Sequence, residues 1–269
     1  MKKTFVVLLA LVLLPAIASA SPTGTKKRRP LPYEFGRAIM TVPAGEKATM
    51  PEVKFDHWLH RAKFTCRLCH VDIGFAMKAN GSSVTQEDIV AGYYCGVCHN
   101  GKPGPDGKAV FRACENKYSE DDVRARCKRC HSVGEKVEPA YNFAKFTEGL
   151  PKARFGNGVD WEQAEISGLV KPVDYIEGTS FKRQAIKDPK DLDLVSGVKG
   201  MPEIIFSHKK HTTWNGCEGC HPEIFKGVKQ GSTTYSMLEN YEGKYCGQCH
   251  LTVAFPMTDC QRCHSKPVE

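Results

Sequence analysis

The chain has 269 residues, and its 38 Lys and Arg against 30 Asp and Glu give a formal net charge of +8. A basic chain of this length would ordinarily suggest binding to nucleic acid or to a membrane surface. Thirteen cysteines and ten histidines exclude so simple an interpretation, because thiols in such number need a structural or chemical role of their own.

The first twenty residues have the pattern of a secretory signal peptide. Two lysines near the start precede an apolar run over residues 5–18, and small residues lead to a cleavage point after Ala20. The run is too short and wrongly flanked for a membrane span, and no later stretch is long and apolar enough to be one. We therefore predict that residues 1–20 are a signal peptide, that residues 21–49 form an N-terminal arm, and that the mature protein is soluble and lies in the periplasm or outside the cell.

Twelve of the thirteen cysteines fall into one motif, C-x-x-C-H, which occurs six times. The copies are Cys66/Cys69/His70, Cys95/Cys98/His99, Cys127/Cys130/His131, Cys217/Cys220/His221, Cys246/Cys249/His250 and Cys260/Cys263/His264. Two thiols at this spacing can form thioethers with two vinyl groups on one porphyrin edge, and the adjacent histidine can bind the iron. Zinc ribbons and redox dithiols also use C-x-x-C pairs, but neither requires a histidine directly after the second cysteine. The pattern predicts six covalently bound c-type haems.

The four remaining histidines lie in two copies of F-x-H-x-x-H, each just upstream of a haem motif. They are His57 and His60 in the first copy, and His208 and His211 in the second. A spacing of three residues places two rings on helix faces about 60° apart, so that one pair can serve two haems. A lone histidine is more often part of an apolar core than a ligand, but here every histidine outside the haem motifs shares one pattern. We predict that all four bind iron from the distal side.

The chain is an internal duplication. With an offset of 151 residues, 50–99 aligns with 201–250 without a gap, and 17 of the 50 positions are identical. We predict one triheme domain at 50–131 and a second at 201–269. Residues 132–200, which contain no cysteine or histidine, join them as a partly ordered strap over the haem domains or as a flexible linker.

Predicted secondary structure is sparse. Short strands over 50–55 and 201–206 lead into the histidine pairs, and helix caps are predicted at Thr85, Ser119, Asp160 and Ser236. With so little regular structure, the porphyrins must supply most of the apolar core. The predicted fold is therefore mostly irregular, with short α-helices and small β-hairpins in two tandem triheme cytochrome domains organised around covalent haems.

Each copy resembles the triheme c-type cytochromes of the c-seven class, relatives of the tetraheme c-three class, over about 55–131 and 206–264. The resemblance implies a compact, mostly irregular fold around closely stacked haems, and electron transfer in the periplasm or at the cell surface of metal-reducing or sulfate-reducing bacteria. It also implies four axial pairs, His57 with His70, His60 with His99, His208 with His221, and His211 with His250.

The third haem of each copy departs from the family pattern. The family's third distal histidine, expected just upstream of the second attachment site, is missing from both copies. Some relatives use methionine there, which makes Met237 a candidate in the second copy. Its repeat equivalent is Gln86, a poor ligand, so Met77 is the candidate in the first copy. Core packing by these methionines, with five-coordinate iron, is the alternative.

Cys114 is the cysteine outside the six motifs. It lies in the longer segment between the second and third motifs of the first copy. An inert buried thiol is one interpretation and an intermolecular disulfide is the other.

Six-coordinate iron leaves no site for a substrate, so we predict an electron carrier or relay and not an enzyme. The alternatives are a multihaem reductase, in which the haems of His131 and His264 would be open, and a subunit of an extracellular electron conduit or filament. The expected partners are a membrane quinol oxidase, other multihaem cytochromes or a terminal reductase, with no nucleic acid and no integral membrane span. The excess of Lys and Arg then balances haem propionates and provides docking surface.

Overall fold

The computed structural model describes residues 30–42, 50–136, 141–184, 187, 190–227 and 229–266. The predicted signal peptide and residues 21–29 and 43–49 of the predicted arm lie outside these residues. Within the described part, turns and irregular segments connect helices of at most eight residues and strands of at most four. The mostly irregular fold with short helices, predicted from the sequence, is confirmed.

The helices are short, and most of the haem motifs lie in single 3-10 or π-helical turns. The α-helices of the described residues are α1 (His57–Arg61), α2 (Gln86–Val90), α3 (Glu120–Ala125), α4 (Phe143–Thr147), α5 (Trp161–Ile166), α6 (His208–Asn215), α7 (Met237–Tyr241) and α8 (Gly247–His250). Single 3-10 turns span Pro32–Glu34, Tyr94–Val97, Cys127–Arg129 and Cys260–Arg262, and a π-helical turn spans Leu68–Asp72. All attachment motifs except the fourth lie at or within a helical turn, where a spacing of three residues brings both thiols to one side.

Two small antiparallel sheets each place a strand directly before a histidine-bearing helix. The first pairs β1 (Arg37–Met40) with β2 (Val53–Asp56), and the second pairs β3 (Leu192–Leu194) with β4 (Ile204–Phe206). The chain passes from β2 into α1 and from β4 into α6 with at most one residue between them. The strand therefore fixes the direction from which each histidine pair enters.

The strands before the histidine pairs begin three residues later than the sequence predicts. The residues in front of them contact the third haem motif instead. Glu52 accepts a hydrogen bond from Val133 N at 3.3 Å, and in the second copy Glu203 accepts one from Lys266 N at 3.1 Å. These backbone bonds tie the end of each copy to its beginning.

The predicted helix caps are confirmed. The Thr85, Ser119 and Ser236 hydroxyls each accept a hydrogen bond from the backbone three residues later, in capping boxes at α2, α3 and α7. Asp160 caps α5 in the same way. These caps satisfy backbone N–H groups that short helices leave without partners.

The repeated Tyr-Cys-Gly sequence has a steric reason. A Cβ atom on Gly96 would lie 2.0 Å from Ile89 O, and one on Gly247 would lie 1.9 Å from Asn240 O. Both glycines therefore allow the second haem motif of each copy to pass directly over the helix before it. The tyrosine two residues earlier has a φ of 50° in the first copy and 45° in the second.

A small apolar core joins the first copy to the segment between the copies. Trp58 of α1 packs with four buried residues of that segment, Val159, Trp161, Ala164 and Val170. We call residues 141–184, which contain α4 and α5, the strap. The strap is bound to the first copy by backbone hydrogen bonds as well, since Val173 N donates to Lys63 O and Thr65 N donates to Val173 O.

Ion pairs extend the strap to the second copy. Glu162 of the strap pairs with Lys210 at 2.6 Å and with Arg262 at 3.1 Å. Arg183 bridges the copies, because its guanidinium contacts Asp72 at 2.6 Å and Glu218 at 2.8 Å. None of the described helices has the length and apolarity that a membrane crossing requires.

Candidate haem sites

A cavity of about 3120 Å³ lies between the short elements. It is several times larger than the roughly 300–1,000 Å³ of an ordinary small-molecule pocket. Its walls contain cysteines of all six haem motifs and residues of both copies and the strap. A space of this size and lining fits several large, flat apolar groups rather than one small ligand.

The phenylalanine of each F-x-H-x-x-H motif packs against both histidines of its pair. The Phe55 ring centre lies 4.8 Å from that of His57 and 4.4 Å from that of His60. The second copy repeats the arrangement around Phe206, at 5.0 and 4.3 Å. The phenyl ring thus fixes the two imidazoles in different directions on one short helix.

Three predicted axial pairs face one another across a gap. The ring centres are 6.5 Å apart for His57 and His70, 6.3 Å for His60 and His99, and 6.3 Å for His211 and His250. A histidine nitrogen binds a transition metal at about 2 Å, and the ring centre lies about 1 Å behind it, so two imidazoles on opposite sides of one iron are about 6 Å apart. The spacing of these three pairs fits a haem iron between the rings.

The fourth predicted pair is not assembled in the same way. His208 and His221, although both lie in the described part of the chain, make no ring contact with each other, and neither lines the cavity. Cys217 of the same motif is exposed. The fourth motif is therefore more open than the three whose histidine pairs face each other.

Eight of the ten histidines have Nδ1 within hydrogen-bond distance of a backbone carbonyl. The bonds are His57 to Gly36 (2.5 Å), His70 to Phe75 (2.9 Å), His131 to Pro51 (2.8 Å), His208 to Lys190 (2.7 Å), His211 to Ser207 (2.8 Å), His221 to Phe225 (2.7 Å), His250 to Phe255 (2.9 Å) and His264 to Pro202 (2.8 Å). Since a carbonyl only accepts, Nδ1 must donate, and the lone pair is left on Nε2. Metal-binding histidines almost always make such a second bond.

The two exceptions are His60 and His99, which form one of the facing pairs. Their Nδ1 atoms are buried without a hydrogen-bond partner in the described structure. The backbone of Asp56 nevertheless raises the pKa of His60, and the backbone of Phe111 raises that of His99, although burial lowers both values more strongly.

Burial keeps the imidazoles of His57 and His60 neutral. The pKa of His57 and that of His60 are each lowered to about 4, mainly because burial disfavours the charged ring. Burial also lowers the pKa of His211 in the second copy. A neutral imidazole is the form that binds metal.

The buried motif thiols lie close enough to affect one another. Burial raises the pKa of Cys69 to about 12, with a further effect of Cys98 in the next motif. Burial likewise raises the pKa of Cys249 to about 12, with further effects of Cys66 in the first copy and Cys220 in the preceding motif. Thiols of neighbouring motifs, and the thiols of Cys66 and Cys249 from different copies, therefore lie within electrostatic range of each other.

The third motif of each copy is held by the start of that copy. His131 forms an isolated antiparallel bridge with Val53, and His264 forms one with Ile204. The two methionine candidates both line the cavity and remain partly exposed, Met77 by 36% and Met237 by 40%. The structure records no contact between either sulfur and these histidines, and their ligation stays a prediction.

One repeated feature beside the second haem motif was missed from the sequence. The phenyl ring of Phe111 lies 4.5 Å from the ring of His99, and the guanidinium of Arg129 lies 3.9 Å from that phenyl ring. In the second copy Phe255, His250 and Arg262 repeat the stack at 4.3 and 4.7 Å. The arginine at the same place in both third motifs is the only sequence signal, since the loops that carry the phenylalanines differ in length.

A comparison with protein-family models identifies the family of the chain. The model of the family described as "Cytochrome c7 and related cytochrome c" matches residues 53–132 and 204–265, which together make up more than half of the chain. None of the curated proteins matches it.

Solved multihaem cytochromes are also similar. A c7-type three-heme cytochrome domain is 34% identical, with 29% of this chain and 95% of that chain covered and a TM-score of 0.26. The C-terminal hexaheme fragment of GSU1996 is 23% identical, with 85% and 96% covered and a TM-score of 0.26. From the family match, the chain belongs to the family of cytochrome c7 and related cytochrome c, as a multihaem c-type cytochrome.

Proposed function

We propose that the chain binds six c-type haems, one at each C-x-x-C-H motif, and relays electrons between redox partners without transforming a substrate. The observation that carries the proposal is the spacing of the three facing histidine pairs, each of which leaves room for one iron. Bound haem would supply a one-electron iron couple.

Histidines of the chain would hold four of the six irons on both sides. His57 and His60 would bind from the distal side in the first copy, opposite His70 and His99. We extend the same assignment to His208 and His211 in the second copy. In the first copy, Phe55 packs against both rings and the Gly36 carbonyl accepts a hydrogen bond from His57, so little rearrangement would accompany a change of charge at the iron.

The haems at His131 and His264 would be bound on one side by these histidines. Met77 and Met237 are the candidates for the other side, since both side chains line the cavity. Thioether ligation would raise the potential of these two haems above that of haems with two histidines. An open position there would instead permit ligand binding and, with it, enzymatic activity.

The adjacency of the thiols supports an order for the relay. The pKa of Cys95 is raised in part by Cys130 of the third motif, and the pKa of Cys69 in part by Cys98 of the second. Cys66 neighbours Cys249 across the boundary between the copies. The resulting path runs from the third haem through the second to the first, and then into the second copy.

We further propose two triheme domains, at 50–131 and 201–269, that are joined by residues 132–200. Export by residues 1–20 to the periplasm or the cell exterior is part of the proposal, because covalent haem stays attached where free haem would be lost. The partners would be other redox proteins, such as a membrane quinol oxidase, a multihaem cytochrome or a terminal reductase.

Intact mass under denaturing conditions tests the haem count. We expect six haems per chain, and a Cys217→Ala, Cys220→Ala variant with five. Cys114→Ser is the matched control, since Cys114 lies outside the motifs, and it should keep six. Fewer than six haems in the unmodified chain would contradict the proposal.

Carbon monoxide distinguishes the relay from an enzyme. A relay with six-coordinate iron should show no high-spin signal and no spectral change with the gas. Stoichiometric binding of carbon monoxide, with turnover of nitrite or hydroxylamine, would instead favour a multihaem reductase.

A further inference from the structure

Arg61 lies at the boundary between the two copies and the strap. It is the last residue of α1 and follows His60 directly. Its Nη1 donates a hydrogen bond to Val253 O of the second copy at 2.6 Å. Its guanidinium also lies over two indole rings, 4.9 Å from Trp161 of the strap and 5.5 Å from Trp214 of the second copy. The side chain therefore crosses from the first copy into the second.

The charge of Arg61 is not compensated by a carboxylate. Its Nε is buried without a partner in the described structure. None of the described Asp or Glu residues forms an ion pair with it, and the nearby Glu162 is committed to Lys210 and Arg262. A carbonyl and two aromatic faces stabilise the cation without neutralising it.

Arg61 is also close to two haem attachment sites. Val253, whose carbonyl accepts its hydrogen bond, itself donates N–H to Cys249 O of the fifth motif at 3.0 Å, and Cys66 of the first motif follows Arg61 by five residues. The charge of Arg61 acts electrostatically on both thiols. These thiols neighbour each other across the boundary. The repeat equivalent of Arg61 is Thr212, so the second copy has no matching cation at this position of α6.

We propose that Arg61 directs electrons to the boundary, by favouring reduction of the haems attached at Cys66/Cys69 and at Cys246/Cys249. The inference rests on the proposed relay. Each electron, supplied by a one-electron donor protein, cancels one positive charge at an iron, while Arg61 keeps its own charge. A nearby buried cation stabilises the state with less positive iron.

The size of the effect follows from one unit charge in a partly polar interior. At about 10 Å from the iron, with an effective dielectric constant of about 20, the charge of Arg61 changes the equilibrium constant for reduction of a haem by about tenfold. Because these two haems lie in the middle of the path, an electron that enters at either copy would reside preferentially on them before it passes on. The relay would then connect the copies instead of acting as two separate carriers.

Three variants of the haem-loaded protein test the proposal. Arg61→Gln removes the charge, Arg61→Lys keeps it, and Arg124→Gln removes an arginine on α3 whose side chain is 69% exposed. We expect Arg61→Gln to make two haems about tenfold harder to reduce, or about 59 mV lower in midpoint potential. Arg61→Lys and Arg124→Gln should leave the potentials close to those of the unmodified protein.

The measurement is a spectroelectrochemical titration, with haem content checked by intact mass. Unchanged potentials in a fully loaded Arg61→Gln variant would overturn the proposal. If Arg61→Gln binds fewer haems than the unmodified protein, the order of haem reduction is measured instead by a haem-resolved NMR titration of the unmodified protein. The two boundary haems should be reduced before the other haems that have two histidine ligands, and the opposite order would overturn the proposal.

The two proposals fail in different ways. A protein that loads haem but passes no electrons to a redox protein contradicts the relay, while its potentials still test Arg61. A protein that passes electrons normally, with potentials independent of Arg61, contradicts only the inference about Arg61.

Discussion

The rings of His57 and His70 lie 6.5 Å apart with their planes within 9° of parallel. They are too far apart for direct stacking contact, and each Nδ1 bonds to a carbonyl on the side away from Nε2. Two half-buried rings that face each other without touching leave room for a bound group between them. A metal bound by both Nε2 atoms satisfies this geometry.

Removal of a distal histidine should open one iron. We expect His211→Ala to show a high-spin signal and to bind one carbon monoxide per chain, because no other imidazole faces His250. Lys209→Ala, an exposed change on the same helix, is the control and should bind none. An absorbance titration with the gas measures both, and a His211→Ala protein that stays low-spin would refute the assignment.

The close approach at the second haem motif should make two glycines irreplaceable. We expect Gly96→Ala and Gly247→Ala each to lower the free energy of unfolding by about 2 kcal/mol or more, since the added Cβ meets a backbone carbonyl. Gly149→Ala is the control, because a Cβ there meets nothing within 4 Å. Denaturant unfolding followed by haem absorbance compares them, and equal stability of all three would refute the steric argument.

The strap should depend on its buried tryptophan. Trp161 is 6% exposed and its indole N–H donates to Asn157 Oδ1 at 3.2 Å. We expect Trp161→Ala to cost about 3–5 kcal/mol and to expose the strap to limited proteolysis. Ile166→Ala, at a side chain that is 70% exposed on the same helix, should change stability by less than about 0.5 kcal/mol. Equal proteolysis of the two variants would show that the strap does not rely on this core.

Stability should fall in mild acid. His57 and His60 have folded pKa values of about 4, below the ordinary value of 6.5, so the unfolded chain takes up protons first as the pH falls. Their contribution is complete above about pH 6.5 and is lost towards pH 4. Unfolding midpoints at about pH 7, 5.5 and 4 measure this loss. In His60→Met, which keeps a candidate ligand without a proton-binding ring, the loss should be smaller, and an equal loss would contradict the assignment.

The sequence predicts those parts of the molecule that depend on local chemistry. The C-x-x-C-H motifs led to the covalent haem of the family, and the caps at Thr85 and Ser236 begin α2 and α7 as expected. Strands β1 and β3 were not predicted. Each forms by pairing with a strand further along the chain, and the sequences of β1 and β3 have no residues in common that would mark them as repeats.

The contacts made by Arg61 could not be predicted either. An arginine after a histidine on a short helix is ordinarily exposed, and its burial depends on Trp161 and Trp214, which come from two distant segments. The two copies align without a gap, but one pair of equivalent hydrogen bonds differs by one residue. His70 bonds to Phe75, five residues later, whereas His221 bonds to Phe225, four residues later. Equivalent contacts thus survive a one-residue change in the turn.

A reductive titration of the intact, haem-loaded protein measures whether the chain is a six-electron relay. We expect each chain to accept six electrons, to remain low-spin throughout and to return all six to an added one-electron acceptor protein. A chain that accepts fewer electrons, or returns fewer than it accepts because a small molecule is reduced instead, would contradict the relay.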